Sequence, residues 1–152
     1  MVEYFGIFVD NQDIEKIIKN EKNTLEKQPN NFHCTFAYKP KKIEMFNDII
    51  GKNIDILLIG YGCDGKNSGF KVSFPNDMKK YFLNADKEGN LKVPHITTSL
   101  SKTGKAINTA NLKFEDLEES VVIKGKFGAF VVENNKRYIS FEKIHIDQLE
   151  KE

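Results

Sequence analysis

Two tripeptides, His33-Cys34-Thr35 and His95-Ile96-Thr97, carry the residue types from which an acid–base site is made. In each, histidine and threonine stand two residues apart, so on an extended strand both side chains point to one face. The middle residue, Cys34 or Ile96, points the other way and suits a core. Each unit therefore presents one imidazole beside one hydroxyl on a rigid element. Two such units facing one another form a complete set for phosphoester cleavage. A neutral imidazole takes a proton from the attacking water or hydroxyl, and a protonated one gives a proton to the leaving oxygen. The threonine hydroxyls donate to the non-bridging oxygens as charge builds in the transition state. Histidine suits both roles because its unperturbed pKa is about 6.5. One His-x-Thr would carry little weight. Two of them, with matched alternation in a chain that has 3 histidines, carry much more.

The elements that must hold these units can be read from periodicity. Over residues 32–38 the alternation assigns Phe32, Cys34, Phe36 and Tyr38 to a core face and His33, Thr35 and Ala37 to a cleft wall. Residues 93–101 repeat the pattern, with Val93, His95, Thr97, Ser99 and Ser101 on one face and Pro94, Ile96, Thr98 and Leu100 on the other. A first strand is predicted over 4–9. Asp10 and Asn11 then offer caps for a short helix bearing Ile14, Ile17 and Ile18. Residues 20–31 read as a surface loop and 43–50 as a helical turn or an irregular crossing. A hairpin joins strands at 54–61 and 70–74 through the turn residues between Cys63 and Gly69. A helix is expected over 78–84, and mostly loop with a helical turn over 104–119. A long strand follows over 121–132, where Gly125 and Gly128 signal a bulge or a close backbone approach. Asn134-Asn135 predicts a turn into a last strand at 137–141, with fraying after Ile146.

The totals limit what the site can be. At 152 residues the chain is the size of one domain, spanning 1–152, and can bury a core without disulfide or metal support. Hydrophobic residues at 39 % and charged residues at 30 % are ordinary for a globular protein. The apolar run from Ile54 to Ile59 is too short to span a bilayer, and the first residues have no signal-peptide pattern, so a cytoplasmic monomer with no membrane partner is expected. Cys34 and Cys63 read as buried thiols rather than a disulfide. A net charge of +1 gives no bulk attraction for nucleic acid, and Arg137 is the only arginine, so an anion site must use lysines, hydroxyls, amides or histidines. The acidic run Glu115, Asp116, Glu118 and Glu119 matches no calcium-loop spacing and reads as a charged surface patch. Asp64-Gly65-Lys66 with Gly69 lacks the spacing of a phosphate loop. No metal and no cofactor are expected.

Phe32-His33-Cys34-Thr35-Phe36 and Pro94-His95-Ile96-Thr97-Thr98-Ser99-Leu100 resemble the two H-x-[ST]-x signatures of the 2H phosphoesterase superfamily, which includes 2′-5′ RNA ligase-like proteins and cyclic phosphodiesterases. From Phe32 to about Val132 the chain also resembles the cyclic phosphodiesterase domain of fungal and plant tRNA ligases, through Gly60-Tyr61-Gly62, Pro94 and the stretch from Gly104 to Ala110. The resemblance implies an α+β, bilobal fold: two small antiparallel sheets around a central cleft, helices outside, one motif on each lobe. It implies metal-independent opening of a 2′,3′-cyclic phosphate on an RNA terminus or a small nucleotide, or transfer at a 2′-5′ linkage. His33 and His95 would be catalytic and Thr35 and Thr97 would hold the phosphate, with the choice of base and acid open. Three departures stand out, the first being that no arginine lies near either motif, which argues against a strongly charged phosphate pocket. The segment between the motifs is short, and Thr98 places a hydroxyl where an aliphatic residue is usual.

Several residues have two readings. Lys102 and Lys105 flank a phosphate or sit on a solvated loop. Lys126 and Phe127 line the cleft, Phe127 as a stacking surface for a base, or Phe127 is plain core. One of Tyr4 and Phe5 faces the core while the other reaches the cleft. His145 reads as structural or exposed. The alternative to catalysis is a binding module that grips a terminal phosphate or RNA end in the same cleft without turning it over.

Overall fold

The computed structural model describes residues 1–18 and 25–144. His145 and the tail after Ile146 lie outside the described residues, as does the first part of the loop expected over 20–31. The elements in chain order are β1 (Val2–Val9), α1 (Asn11–Ile18), β2 (Phe32–Tyr38), β3 (Asn53–Cys63), β4 (Asn67–Ser73), β5 (His95–Leu100), β6 (Glu115–Glu133) and β7 (Lys136–Ser140). Three short 3-10 helices, Glu44–Asp48, Asn76–Tyr81 and Ala106–Asn111, occupy connections. The class is α+β, dominated by antiparallel sheet.

The strands form one continuous sheet in the order β2-β1-β6-β3-β4-β5, with β7 paired to β6. The expected pair of separate sheets is therefore not what the strand pairing gives. The long β6 runs along β1 with its C-terminal part and along β3 with much of its length, and so joins the two halves. Its start at Glu115 also overturns the loop expected over much of 104–119. The order reads symmetrically from both ends, and the end strands β2 and β5 come into contact, so the sheet nearly closes as a barrel. Each end strand carries one His-x-Thr.

The inside of the curve is a phenylalanine-rich core. Phe5, Phe36, Phe46 and Phe127 are fully buried, with Ile7, Cys34, Ile56, Leu58, Phe70 and Ile96. Local sequence sets the edges. The Asp10 carboxylate accepts the Gln12 amide at 2.7 Å and starts α1, whose Ile14 and Ile18 are buried. Asp64 accepts the Lys66 and Asn67 amides and fixes the β3–β4 turn. Asn134 and Asn135 both take positive φ, the conformation of a two-residue hairpin turn, and send the chain into β7. The helix expected over 78–84 is a 3-10 segment displaced toward the N-terminus.

Two bulges place the motifs. On β2, Phe5 pairs with Ala37 but Gly6 pairs with Thr35, so Phe36 is an extra residue. The bulge breaks the alternation: Phe36 and Ala37 both turn inward and Tyr38, expected in the core, is exposed. On β5, Ser68 pairs with Ser99 and Gly69 with Thr97, so Thr98 is the extra residue. Thr98 and Ser99 both turn inward, which answers how a hydroxyl sits at this position. Thr98 is 1 % exposed and its hydroxyl lies 2.8 Å from that of Ser68, which also bonds Ser99.

Candidate active site

Both motifs are built alike. Each histidine and threonine is half-buried on the face opposite the core, while Cys34 and Ile96 are fully buried. Each threonine is followed by the bulge. Each threonine is also paired with a glycine, Gly6 for Thr35 and Gly69 for Thr97. A β-carbon on Gly6 would lie 2.3 Å from the Cys34 carbonyl oxygen, and one on Gly69 would lie 2.7 Å from that of Ile96. Only glycine lets the neighbouring strand come this close to the motif.

The histidines are also held alike. His95 Nδ1 lies 2.7 Å from the Val93 carbonyl oxygen, two residues back. A carbonyl oxygen only accepts, so Nδ1 carries the proton and a neutral ring leaves Nε2 with its lone pair. His33 Nδ1 lies 2.6 Å from the side-chain oxygen of Asn31, again two residues back, and the Asn31 backbone also favours the charged ring. Tyr4 stacks on the His33 ring with centroids 4.5 Å apart, and its hydroxyl approaches both Nδ1 and Asn31. Burial pushes the Tyr4 phenol above its usual range. Phe130 stacks on Tyr4 in turn, and Phe8 lies against His33. One wall of the site is thus an aromatic row.

Contact between β2 and β5 brings the two units together. The His95 backbone reaches the buried Cys34 thiol, whose pKa burial pushes up to about 12. Burial, helped by the nearby His95, lowers the His33 pKa to about 4. Burial also lowers that of His95, opposed by the Val93 hydrogen bond and reinforced by Lys92. Two rings that repel each other's charge do not readily hold two protons at once.

On the hydroxyl side, Thr97 Oγ1 lies 2.9 Å from Thr109 Oγ1, and the Asn67 amide donates to Thr109 at 2.9 Å and to the Lys105 carbonyl at 2.6 Å. Asn67 and Thr109 are fully buried. Both are positioning residues for Thr97. Thr97 donates to Thr109, which also accepts from Asn67, so the Thr97 hydroxyl proton must rotate away from Thr109 to reach a ligand oxygen. The Thr35 carbonyl accepts a long contact, 3.5 Å, from Asn84.

The remaining candidates divide. Tyr4 is in the site, while Phe5 is core. Lys126 is exposed on the His33 face, opposite Phe8 in register, with its ammonium 5.0 Å from the Phe141 ring. Phe127 is not a lining residue: it is fully buried and stacked near Phe5 and Phe46. Lys102 and Lys105 are exposed around the turn after β5. Asn31, Asn67 and Thr109 were missed. The usable signal was the spacing of Asn31, two residues before His33, which matches Val93 before His95. Among the described residues no three His, Cys, Asp or Glu side chains cluster as a metal site requires, and no helix is long and apolar enough to cross a membrane. Cys34, buried, and Cys63, half-buried, are not joined in a disulfide. The chain matches no protein-family model and no curated protein.

The His33 environment sets a pH dependence. Unfolded, the ring binds a proton near pH 6.5; folded, it does so only near 4. Between those values the unfolded chain holds more protons, so acid favours unfolding. The neutral ring's contribution is complete above about pH 6.5 and is lost as pH falls toward 4. Urea unfolding at pH 7 and pH 4.5 should show a loss of roughly 2–3 kcal/mol from this group. His33→Gln should lose less, and so should Asn31→Asp, whose carboxylate beside Nδ1 favours the imidazolium. Equal slopes in all three proteins would show that His33 is not held neutral.

Proposed function

We propose that the protein is a 2H-type phosphodiesterase that opens 2′,3′-cyclic phosphates on RNA ends or small nucleotides, using only its own side chains. The observation that carries this reading is the convergence of two equivalent units on the edges of β2 and β5, each offering an imidazole and a hydroxyl. The bilobal description belongs to the same reading. In it the two lobes are the strand pairs β2-β1 and β4-β5 at the ends of the one sheet, and the support is that the two motifs correspond in bulge, glycine and Nδ1 acceptor.

In the reaction, one neutral histidine takes a proton from water through Nε2 as the oxygen attacks phosphorus. Thr35 and Thr97 donate to the non-bridging oxygens, with Thr109 behind Thr97. The bond from phosphorus to the 2′ or 3′ oxygen breaks, and the second histidine, protonated, gives its proton to that oxygen. An anionic phosphate between the rings favours the imidazolium form, so substrate itself raises the proton affinity that burial lowers. One proton shared between two coupled rings matches the need for one base and one acid.

The experiment is an assay of EDTA-treated protein against a 2′,3′-cyclic-phosphate oligonucleotide and the four cyclic mononucleotides. Ring opening that persists in EDTA is the expected result. Tight binding of 2′- or 3′-phosphorylated ends with no product after long incubation would replace catalysis with the binding-module reading. Neither binding nor turnover would reject both.

A further inference from the structure

Resting on that reading, we infer that a cavity beside His95 is a nucleoside subsite that reads the base attached to the phosphate. The cavity, about 340 Å³, lies between the turn over 85–93 and the 3-10 helix Ala106–Asn111. Its volume is at the lower end of the roughly 300–1,000 Å³ range of small-molecule sites and suits one nucleoside.

Its walls are continuous with the residues that hold the motifs. The first wall ends in Lys92 and Val93, and the Val93 carbonyl fixes His95 while the charge of Lys92 acts on the same ring. That wall begins beside Asn84, which reaches the Thr35 carbonyl and whose own carbonyl accepts the Lys92 amide at 2.9 Å. The second wall is the 3-10 helix, whose Thr109 is buried behind the lining and bonds Thr97, which places the helix over the face of β5 that carries the motif threonine. No motif side chain lines the cavity, so in this proposal the sugar bridges from the phosphate to the wall formed by Lys92 and Val93.

The lining suits a base. Leu91 and Ile107, 64 % and 61 % exposed, are apolar surfaces for its faces. Asn108 and Asn111 are exposed on the lining, and each amide pairs a donor with an acceptor, as the edge of a base does. The Asp86 carboxylate is engaged by the Glu88 and Asn90 amides, which fixes the turn and occupies the acid. The cations Lys87 and Lys92 at the same lining suit a further phosphate on the nucleoside.

The test compares adenosine and cytidine 2′,3′-cyclic phosphates with glycerol 1,2-cyclic phosphate, which has no base, in wild type and in Asn108→Ala/Asn111→Ala. The preference for the nucleotides over the glycerol ester, as a ratio of kcat/KM, should fall about tenfold in the variant, mainly through KM. Hydrolysis of all three esters with a ratio unmoved by the variant would overturn the subsite and leave the phosphodiesterase reading standing. Should wild type hydrolyse none, that reading falls, and amide NMR with adenosine 2′- and 3′-monophosphate decides the cavity separately. Shifts at Asn108 and Asn111 that weaken in the variant would support it, and shifts elsewhere or nowhere would overturn it.

Discussion

His33→Ala and His95→Ala are each expected to lower kcat/KM on a 2′,3′-cyclic phosphate by about a hundred- to ten-thousandfold, the range for a positioned general acid or base. The double variant should be little worse than the weaker single variant, because base and acid act in one step and removing either leaves the other without a task. Neither change should unfold the protein. Both rings are half-buried on the face away from the core, and the packing of each strand depends on Cys34 and Ile96. Far-ultraviolet circular dichroism and melting at pH 7 check this beside the kinetics. A single variant that keeps near-normal turnover would rule out the two-histidine mechanism.

The motifs were legible because a period of two is a local property. His33 and Thr35, like His95 and Thr97, need only an extended backbone to share a face, and Phe32 to Tyr38 could form little else. What was not legible depends on pairing. Nothing within the sequence 32–38 says that Phe36 becomes a bulge, since the bulge arises where Gly6 meets Thr35. Tyr38 was therefore assigned to the wrong face, although its residue type suited the core. Thr98 posed the same difficulty in reverse. A hydroxyl looked misplaced until the bulge at Gly69 turned Thr98 and Ser99 inward together and supplied Ser68 as a partner.

The glycines show a second limit. Gly125 and Gly128 drew notice because they interrupt a strand pattern, and both do mark close approaches, to Ile7 and Phe141. Gly6 and Gly69 matter more for the site, yet each lies far in sequence from the motif it serves. Likewise Thr109 and Asn67 become positioning residues only once the 3-10 helix folds over β5. The joining of two expected sheets into one has a comparable cause. A strand as long as Glu115–Glu133, charged and exposed through its first part, gives no hydrophobic alternation there, and its β structure comes from pairing with β3.

Phe127→Ala is the second large effect, and it separates the two readings of that residue. Its ring is fully buried, near-parallel to Phe5 and Phe46 and edge-on to Phe36 at 5.4 Å. Truncation should cost about 3–5 kcal/mol, transfer and cavity terms together, and lower Tm by roughly 6–20 °C for a domain of this size. A ring that stacked on a base would behave otherwise: KM for the cyclic nucleotide would rise and Tm would hardly move. Phe36 neighbours Thr35, so core and site share a wall, and kinetics must be measured well below the lowered Tm. There, Phe127→Ala should keep the KM of wild type. A raised KM with an unchanged Tm would return Phe127 to the cleft and remove the central ring of the core described above.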